Sequence, residues 1–249
     1  MRRFECSAIL FDLDGVLVDS AALIELQWRH WAERRGRDPS PFLRVCHGRR
    51  AVETIRLAAP DLDAEAEVAR LDPGNDRVDE PLRPVPGAER VLGALPPGAW
   101  AVATSGPRAT AVSRLSQARL PVPAVLVCAE DVECGKPSPD VYLRAAARLG
   151  VEPGRCLVLE DAPAGLEAAA AAGMPALGVT TTHPAAELAA PVLIPDLTRV
   201  HLGRIEHDPA GSWRLEVLVV EATPPLSAAR PFASTHQRTA LTPERCRRP

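Results

Sequence analysis

The stretch SAILFDLDGVLVDS, residues 7–20, decides the fold. Residues 7–11 carry no charge, are apolar after the leading serine, and run straight into Asp12. A run this short without polar alternation reads as a strand buried on both faces, as strands of parallel sheets are. At its carboxyl end stand Asp12 and Asp14, one residue apart, followed by Gly15. Two carboxylates so close, at the mouth of a buried strand, repel each other and are poorly solvated, so they call for a cation or a shared proton. Hard oxygen ligands of this kind suit Mg2+ held together with a substrate phosphate. A turn that merely contains two aspartates has the same letters, and D-x-D-G alone leaves both readings open.

Working outward, similar short apolar runs recur at 99–103 (AWAVA), 122–128 (VPAVLVC), 156–159 (CLVL), 176–179 (ALGV) and 192–194 (VLI). Helix-length segments at 108–118, 139–149 and 163–172 lie between them. The alternation predicts an α/β fold, a doubly wound parallel sheet of Rossmann-like type, with ligands beyond the carboxyl ends of the strands. One interval breaks the pattern. Residues 20–35 place Ile24, Trp28, Trp31 and Arg35 at helical spacing with Gly36 as a stop, and 51–58 and 64–71 also read as helices. That is too much chain for a loop. It predicts a helical cap over 18–84, inserted in a core of 1–17 and 85–203, with Pro81, Pro84 and Pro86 marking the return to the sheet. Trp28 and Trp31 read as cap core or as cleft lining. Residues 204–222 predict a β-hairpin turning at Asp208–Gly211, with Trp213, Leu215, Val217 and Val219 alternating, that extends the core at its sheet edge. Residues 223–249, rich in Pro, Arg, Ser and Thr, predict a disordered tail.

Composition excludes several classes. The 249 residues carry 29 basic and 32 acidic groups, a net charge of -3, which argues against nucleic acid as a partner. No apolar run is long enough for a transmembrane helix, so no membrane partner is expected. Glu5 and Asp12 interrupt the apolar N-terminus, so it does not read as a secretory signal. The 6 cysteines form no CxxC pair and read as reduced thiols of a cytoplasmic protein. A monomer is the default expectation. Lysine occurs once, at Lys136, every other basic residue being arginine. In a chain rich in Ala, Arg and Pro that is either an accident of composition or a residue kept for a reason.

The other strand ends bear on the choice. After 99–103 comes Thr104-Ser105-Gly106, offering a hydroxyl and backbone amides to phosphate oxygens. After 122–128 comes CGKPSPDVYL, residues 134–143, with Lys136 ahead of two prolines that fix the backbone. After 156–159 come Glu160 and Asp161, then a helix opening at Pro163 and Gly165. Each has an ordinary reading: a turn, a solvated charge, a complement to a helix dipole. Together they supply a nucleophilic acid, a hydroxyl, a cation and metal-binding acids.

In this order and spacing, over residues 7 to about 198, the motifs DLDGVLVDS, ATSG, GKPSPDVYL and LVLEDAPAGLEAAAAAGM resemble those of the haloacid dehalogenase-like superfamily, in its phosphatase branch with an α-helical cap. HGRRAVETI, residues 47–55, and EDAPAG are similar to those of bacterial sugar and polyol phosphate phosphatases. The resemblance implies a Mg2+-dependent phosphatase that hydrolyses a small sugar or polyol phosphate monoester through an aspartyl-phosphate. Asp12 would be the nucleophile and Asp14 the acid and then the base. Thr104 and the Ser105 amide would hold the transferring phosphoryl oxygens, with Lys136 between nucleophile and phosphate. Asp161, with Glu160 close by, would complete a Mg2+ shell containing the Asp12 carboxylate and the Asp14 backbone carbonyl. Dehalogenases lack the second aspartate. The β-phosphoglucomutases share all four motifs but usually carry a His ten residues after the second Asp and a Lys in the cap, where this chain has Ile24 and no lysine. Hydrolysis is thereby favoured over a phosphosugar mutase, and the intact quartet Asp12, Asp14, Lys136 and Asp161 over a phosphate-binding regulator without turnover. In the cap, Arg49, and His47 less strongly, are expected to contact the substrate's polar leaving group. Arg108 either approaches the site or is an exposed helix start.

Overall fold

The computed structural model describes residues 1–71, 82–208 and 211–220. The expected tail at 223–249, part of the expected cap (72–81, with Pro81) and two residues of the hairpin turn lie outside the described residues.

The chain opens with β1 (Arg2–Cys6) and, after a bend at Ser7, β2 (Ala8–Phe11). All four residues of β2 are buried, as an unbroken apolar run requires. The strand pair β3 (Val18–Asp19) and β4 (Arg83–Pro84) brackets the inserted helices: α1 (Ala21–Arg34), α2 (Ser40–Leu43), α3 (Ala51–Ala58) and α4 (Ala64–Val68). Helix α1 stops at the expected place because Gly36 adopts φ +62°, where a side chain would be strained. Helix α4 ends earlier than the expected Leu71, loosening into the i→i+3 bonds Arg70 N–Glu67 O and Leu71 N–Val68 O. The helices enclose a separate apolar cluster in which Trp28, Trp31 and Phe42 pack at ring separations of 4.9–5.8 Å around Ile55.

After β4 the chain forms α5 (Ala88–Ala94), β5 (Trp100–Ala103), α6 (Arg108–Gln117), β6 (Leu126–Val127), α7 (Asp140–Leu149), β7 (Cys156–Glu160), α8 (Pro163–Ala171), β8 (Ala176–Val179) and β9 (Leu193–Ile194). The expected strand over 122–128 is only two residues long, because Pro121 and Pro123 have no N–H to give a ladder. The main sheet is parallel throughout and ordered β6-β5-β2-β7-β8-β9, with β2 in the middle. The chain winds outward through β5 and β6 and then crosses to β7, so the switch of direction falls between β2 and β7. Strand side chains divide strictly by face. Ile9, Phe11, Leu157 and Leu159 pack with α5 and α6, while Ala8, Leu10, Val158 and Cys156 pack with α7 and α8.

The C-terminal hairpin forms, as β10 (Val200–His207) and β11 (Trp213–Val219). It does not extend the edge of the main sheet. It pairs instead with β1 in a second, antiparallel sheet ordered β1-β11-β10, with Arg2 opposite Val219. Leu215, Val217 and Val219 turn their side chains into the same cluster as Phe11 and Leu159. The apolar side of the hairpin is thus spent on covering a face of the main sheet, which an edge position would leave exposed.

Candidate active site

At the carboxyl end of β2, Asp12 is fixed by its amide, which donates to the Leu159 carbonyl across the switch point (3.0 Å). Its carboxylate faces Lys136, whose Nζ lies 2.5 Å from Asp12 Oδ1 and 2.5 Å from Glu160 Oε1. Lys136 is 1% exposed and sits over the ring of Tyr142, 4.9 Å from its centre. The Tyr142 hydroxyl donates to Glu160 Oε1 (3.0 Å), and the amides of Asp161 and Ala162 donate to Oε2 (2.8 and 2.9 Å). Glu160 is therefore held on both oxygens and in turn holds the lysine. Asp161 is buried beside it, with Oδ2 bonded to the Thr182 hydroxyl and Oδ1 without a partner. Gly15 (φ +80°) lets the D-x-D-G turn close onto this group: a Cβ there would stand 2.3 Å from Asp161 Oδ2.

The electrostatics follow from this packing. Burial pushes the Asp12 carboxyl up to about 7, against the pull of Lys136 and with help from Glu160 and Asp14. Burial raises Asp161 well above the carboxylate range, with Glu160 and Asp12 adding to it. Burial pulls the Lys136 ammonium down, but Asp12 and Glu160 more than reverse this, so it stays charged well above its ordinary value. Asp12, Glu160 and Asp161 can each bring an oxygen within 4.8 Å of the others. Crowded carboxylates with an orphaned buried oxygen fit a hard divalent cation, and this acidic cluster can bind a metal.

Asp14 stands at the rim. Its Oδ1 takes the Ser20 hydroxyl (2.6 Å) and Arg114 Nη1 (2.7 Å). Thr104 is buried at the end of β5, its amide on the Val127 carbonyl and its hydroxyl accepting from the Gly106 amide (3.1 Å). The Ser105 hydroxyl donates to the Gly48 carbonyl (2.9 Å), tying the motif to the helical insertion. Gly48 approaches closely enough that a Cβ there would lie 2.6 Å from Ala162 Cβ.

Above Asp12 and Asp14 opens a cavity of about 500 Å³, roofed by Trp28, His47 and Arg49 and walled by Thr104, Ser105 and Arg114. His47 is buried, 3.7 Å from Glu25 and ring-to-edge with His183. Its pKa is lowered by burial and by His183, with Glu25 opposing. Trp28 serves both as core of the insertion and as cavity wall, whereas Trp31 is core only. Arg108 does not reach the site, being bound to Asp131 (2.5 Å) and the Leu126 carbonyl (3.1 Å). Sequence reasoning missed Arg114, Ser20, Tyr142 and Thr182. Of these, Ser20 closes the motif DLDGVLVDS and Tyr142, the one tyrosine of the chain, lies within GKPSPDVYL, while Arg114 and Thr182 carried no signal.

Known proteins are similar to this chain in sequence and in fold. The chain is 41% identical over 179 residues to hexitol phosphatase A of Escherichia coli (strain K12), covering 70% of this chain and 83% of that one. It is 35% identical over 189 residues to glycerol-1-phosphate phosphohydrolase 1 of Saccharomyces cerevisiae (strain ATCC 204508 / S288c), covering 71% and 75%. A solved hydrolase from Pseudomonas syringae superposes with a TM-score of 0.70 at 25% identity, covering 78% of this chain and 94% of that one. The fold and these relatives define a phosphoric monoester hydrolase. Residues 6–173 match the haloacid dehalogenase-like hydrolase family, and the chain belongs to it. Among the described residues no helix is long and apolar enough to cross a membrane.

Proposed function

We propose that the protein is a Mg2+-dependent phosphatase of a small sugar or polyol phosphate, working through an aspartyl-phosphate on Asp12. One observation carries the reading: a buried carboxylate at the switch point, clamped by the chain's one lysine, beneath a cavity of small-molecule size. The named substrates of the hexitol and glycerol-1-phosphate relatives support the choice of polyol esters. We place it in the cytoplasm as a monomer, on the reading of its composition and cysteine spacing.

In this reading Asp12 attacks phosphorus as the ester P–O bond breaks, and Asp14 gives a proton to the departing alkoxide. Asp14 then takes a proton from the water that cleaves the acyl phosphate, returning Asp12 as carboxylate. Thr104 and the Ser105 amide hold the non-bridging oxygens, and Lys136 keeps Asp12 aimed and screens its charge. Asp12 and Asp161, with Glu160 alongside and the Asp14 carbonyl, would hold the Mg2+. The ion's chemistry is to let an anionic carboxylate and an anionic phosphate share one site. Residues 18–84 act as the cap that excludes water in the first step, with Arg49 and His47 meeting the leaving group. Glycerol 1-phosphate and hexitol phosphates incubated with the enzyme should yield one inorganic phosphate per ester consumed, and chelator should abolish it. An isomeric phosphate formed without inorganic phosphate would make it a mutase.

A further inference from the structure

Arg114 has no part in the assignments above, yet it lies in the site. It stands on the inner face of α6, between Ala111 and Leu115, both of which are fully buried in the apolar core. Its side chain is 7% exposed, lines the cavity, and puts Nη1 2.7 Å from Asp14 Oδ1. Its Nε is buried with no partner. Enclosing a guanidinium with one N–H unpaired costs stability that an apolar residue at this position would not. The cost is coherent with a task at Asp14. Ser20 and Arg114 both use Oδ1 of that carboxylate, and neither uses Oδ2.

We infer that Arg114 is a positioning residue that fixes the Asp14 carboxylate by one oxygen, so that the other is presented to the ester oxygen of the substrate. The inference rests on the reading of Asp14 as the proton donor. A carboxyl able to rotate about its Cβ–Cγ bond spends much of its time off the line to the leaving oxygen. The Ser20 hydroxyl and the Arg114 guanidinium, converging on one oxygen, remove that freedom, and Arg114 supplies the charged partner from a helix packed into the core.

The test uses the dependence on the leaving group. A glycerol alkoxide needs a proton to depart, whereas 4-nitrophenolate does not. In Arg114→Met loaded with Mg2+, first-turnover release of glycerol from glycerol 1-phosphate should fall on the order of 100-fold, the low end of what a placed general acid contributes. First-turnover release of 4-nitrophenol from its phosphate should fall less than about 3-fold, since that step draws little on the general acid. Should methionine unfold the protein, as judged by circular dichroism, Arg114→Gln stays polar but ends two atoms short of the Nη1 that meets Asp14, and should show the same split. Equal losses with both esters, or no loss with either, would overturn the inference. Asp14→Asn is run beside it. If Asp14→Asn shows the split and the Arg114 variants do not, only the role of Arg114 fails; if Asp14→Asn shows none, the acid assignment itself fails.

Discussion

Lys136 is enclosed by Asp12, Glu160 and Tyr142, so its removal strands two buried acids. Lys136→Met should therefore destabilise the fold by about 3–5 kcal/mol as well as abolish turnover, read from denaturant midpoints and phosphate release. Lys136→Arg keeps the charge but forces a broader group into a filled slot. It should lose most activity and about 1–3 kcal/mol of stability. Near-normal turnover in that variant would return the lone lysine to an accident of composition. A second prediction concerns protons. Asp12 is held up at about 7 where a free aspartate lies at 3.8. Between those values the folded chain binds a proton that the unfolded chain does not, so this group's contribution to stability falls as pH rises through the window. A bound cation takes the proton's place. Mg2+ should therefore raise the melting temperature more at pH 8 than at pH 5.5, and Asp161→Asn should flatten the difference. At this scale the motif residues were legible because their chemistry is unusual where they stand. Arg114 was not, since an arginine two-thirds along an amphipathic helix looks like any solvated one until the helix register is known.

Helix α3 begins with a clasp that reaches across to the segment before Lys136. Arg50 donates to the carbonyls of Val132 (3.3 Å) and Glu133 (2.9 Å), and Glu53 accepts from the Gly135 amide (2.9 Å) while bonded to Arg50 itself. The loop that delivers the lysine is thus held from the helical insertion as well as from the core. Glu53→Ala should speed hydrogen exchange at the Gly135 amide and lower kcat, with a stability loss of about 1–3 kcal/mol from the freed groups. An unchanged exchange rate there would show that the core alone secures the loop. HGRRAVETI pointed to this region and to Arg49, which lines the cavity, but not to the separate task of Arg50. Two neighbouring arginines look alike until the start of α3 sets which one meets residues 132–135. Helix limits were well marked where Gly36, Gly150 or Pro163 punctuate them. The strand at 122–128 was overread because its apolar composition outweighed Pro123 within it and Pro121 just before it, neither of which has an N–H to donate.

At the scale of the molecule, the parallel sheet and the siting of chemistry at its carboxyl end followed from short apolar runs and what terminates them. The antiparallel sheet did not, because β1 looks like a charged leader to β2 and its partner lies at the other end of the fold. No local pattern announces such a pairing. The sheet is nonetheless structural: Val217, opposite Phe4 and Leu202, is fully buried. Val217→Asp should bury an unpaired charge and cost more than about 4 kcal/mol, seen as a collapse of the thermal midpoint, while Arg214→Asp, three residues earlier at an exposed position, should shift it little. The same pairing dictates an order of assembly on the ribosome. Strand β2 can find β5 and β7 as they emerge, but β1, synthesised before them, waits for residues 213–219, the strand it pairs with. Until then the nascent chain trails an open strand beside a finished catalytic sheet, and a chaperone that shields this N-terminal edge would raise the yield of folded enzyme without touching its site.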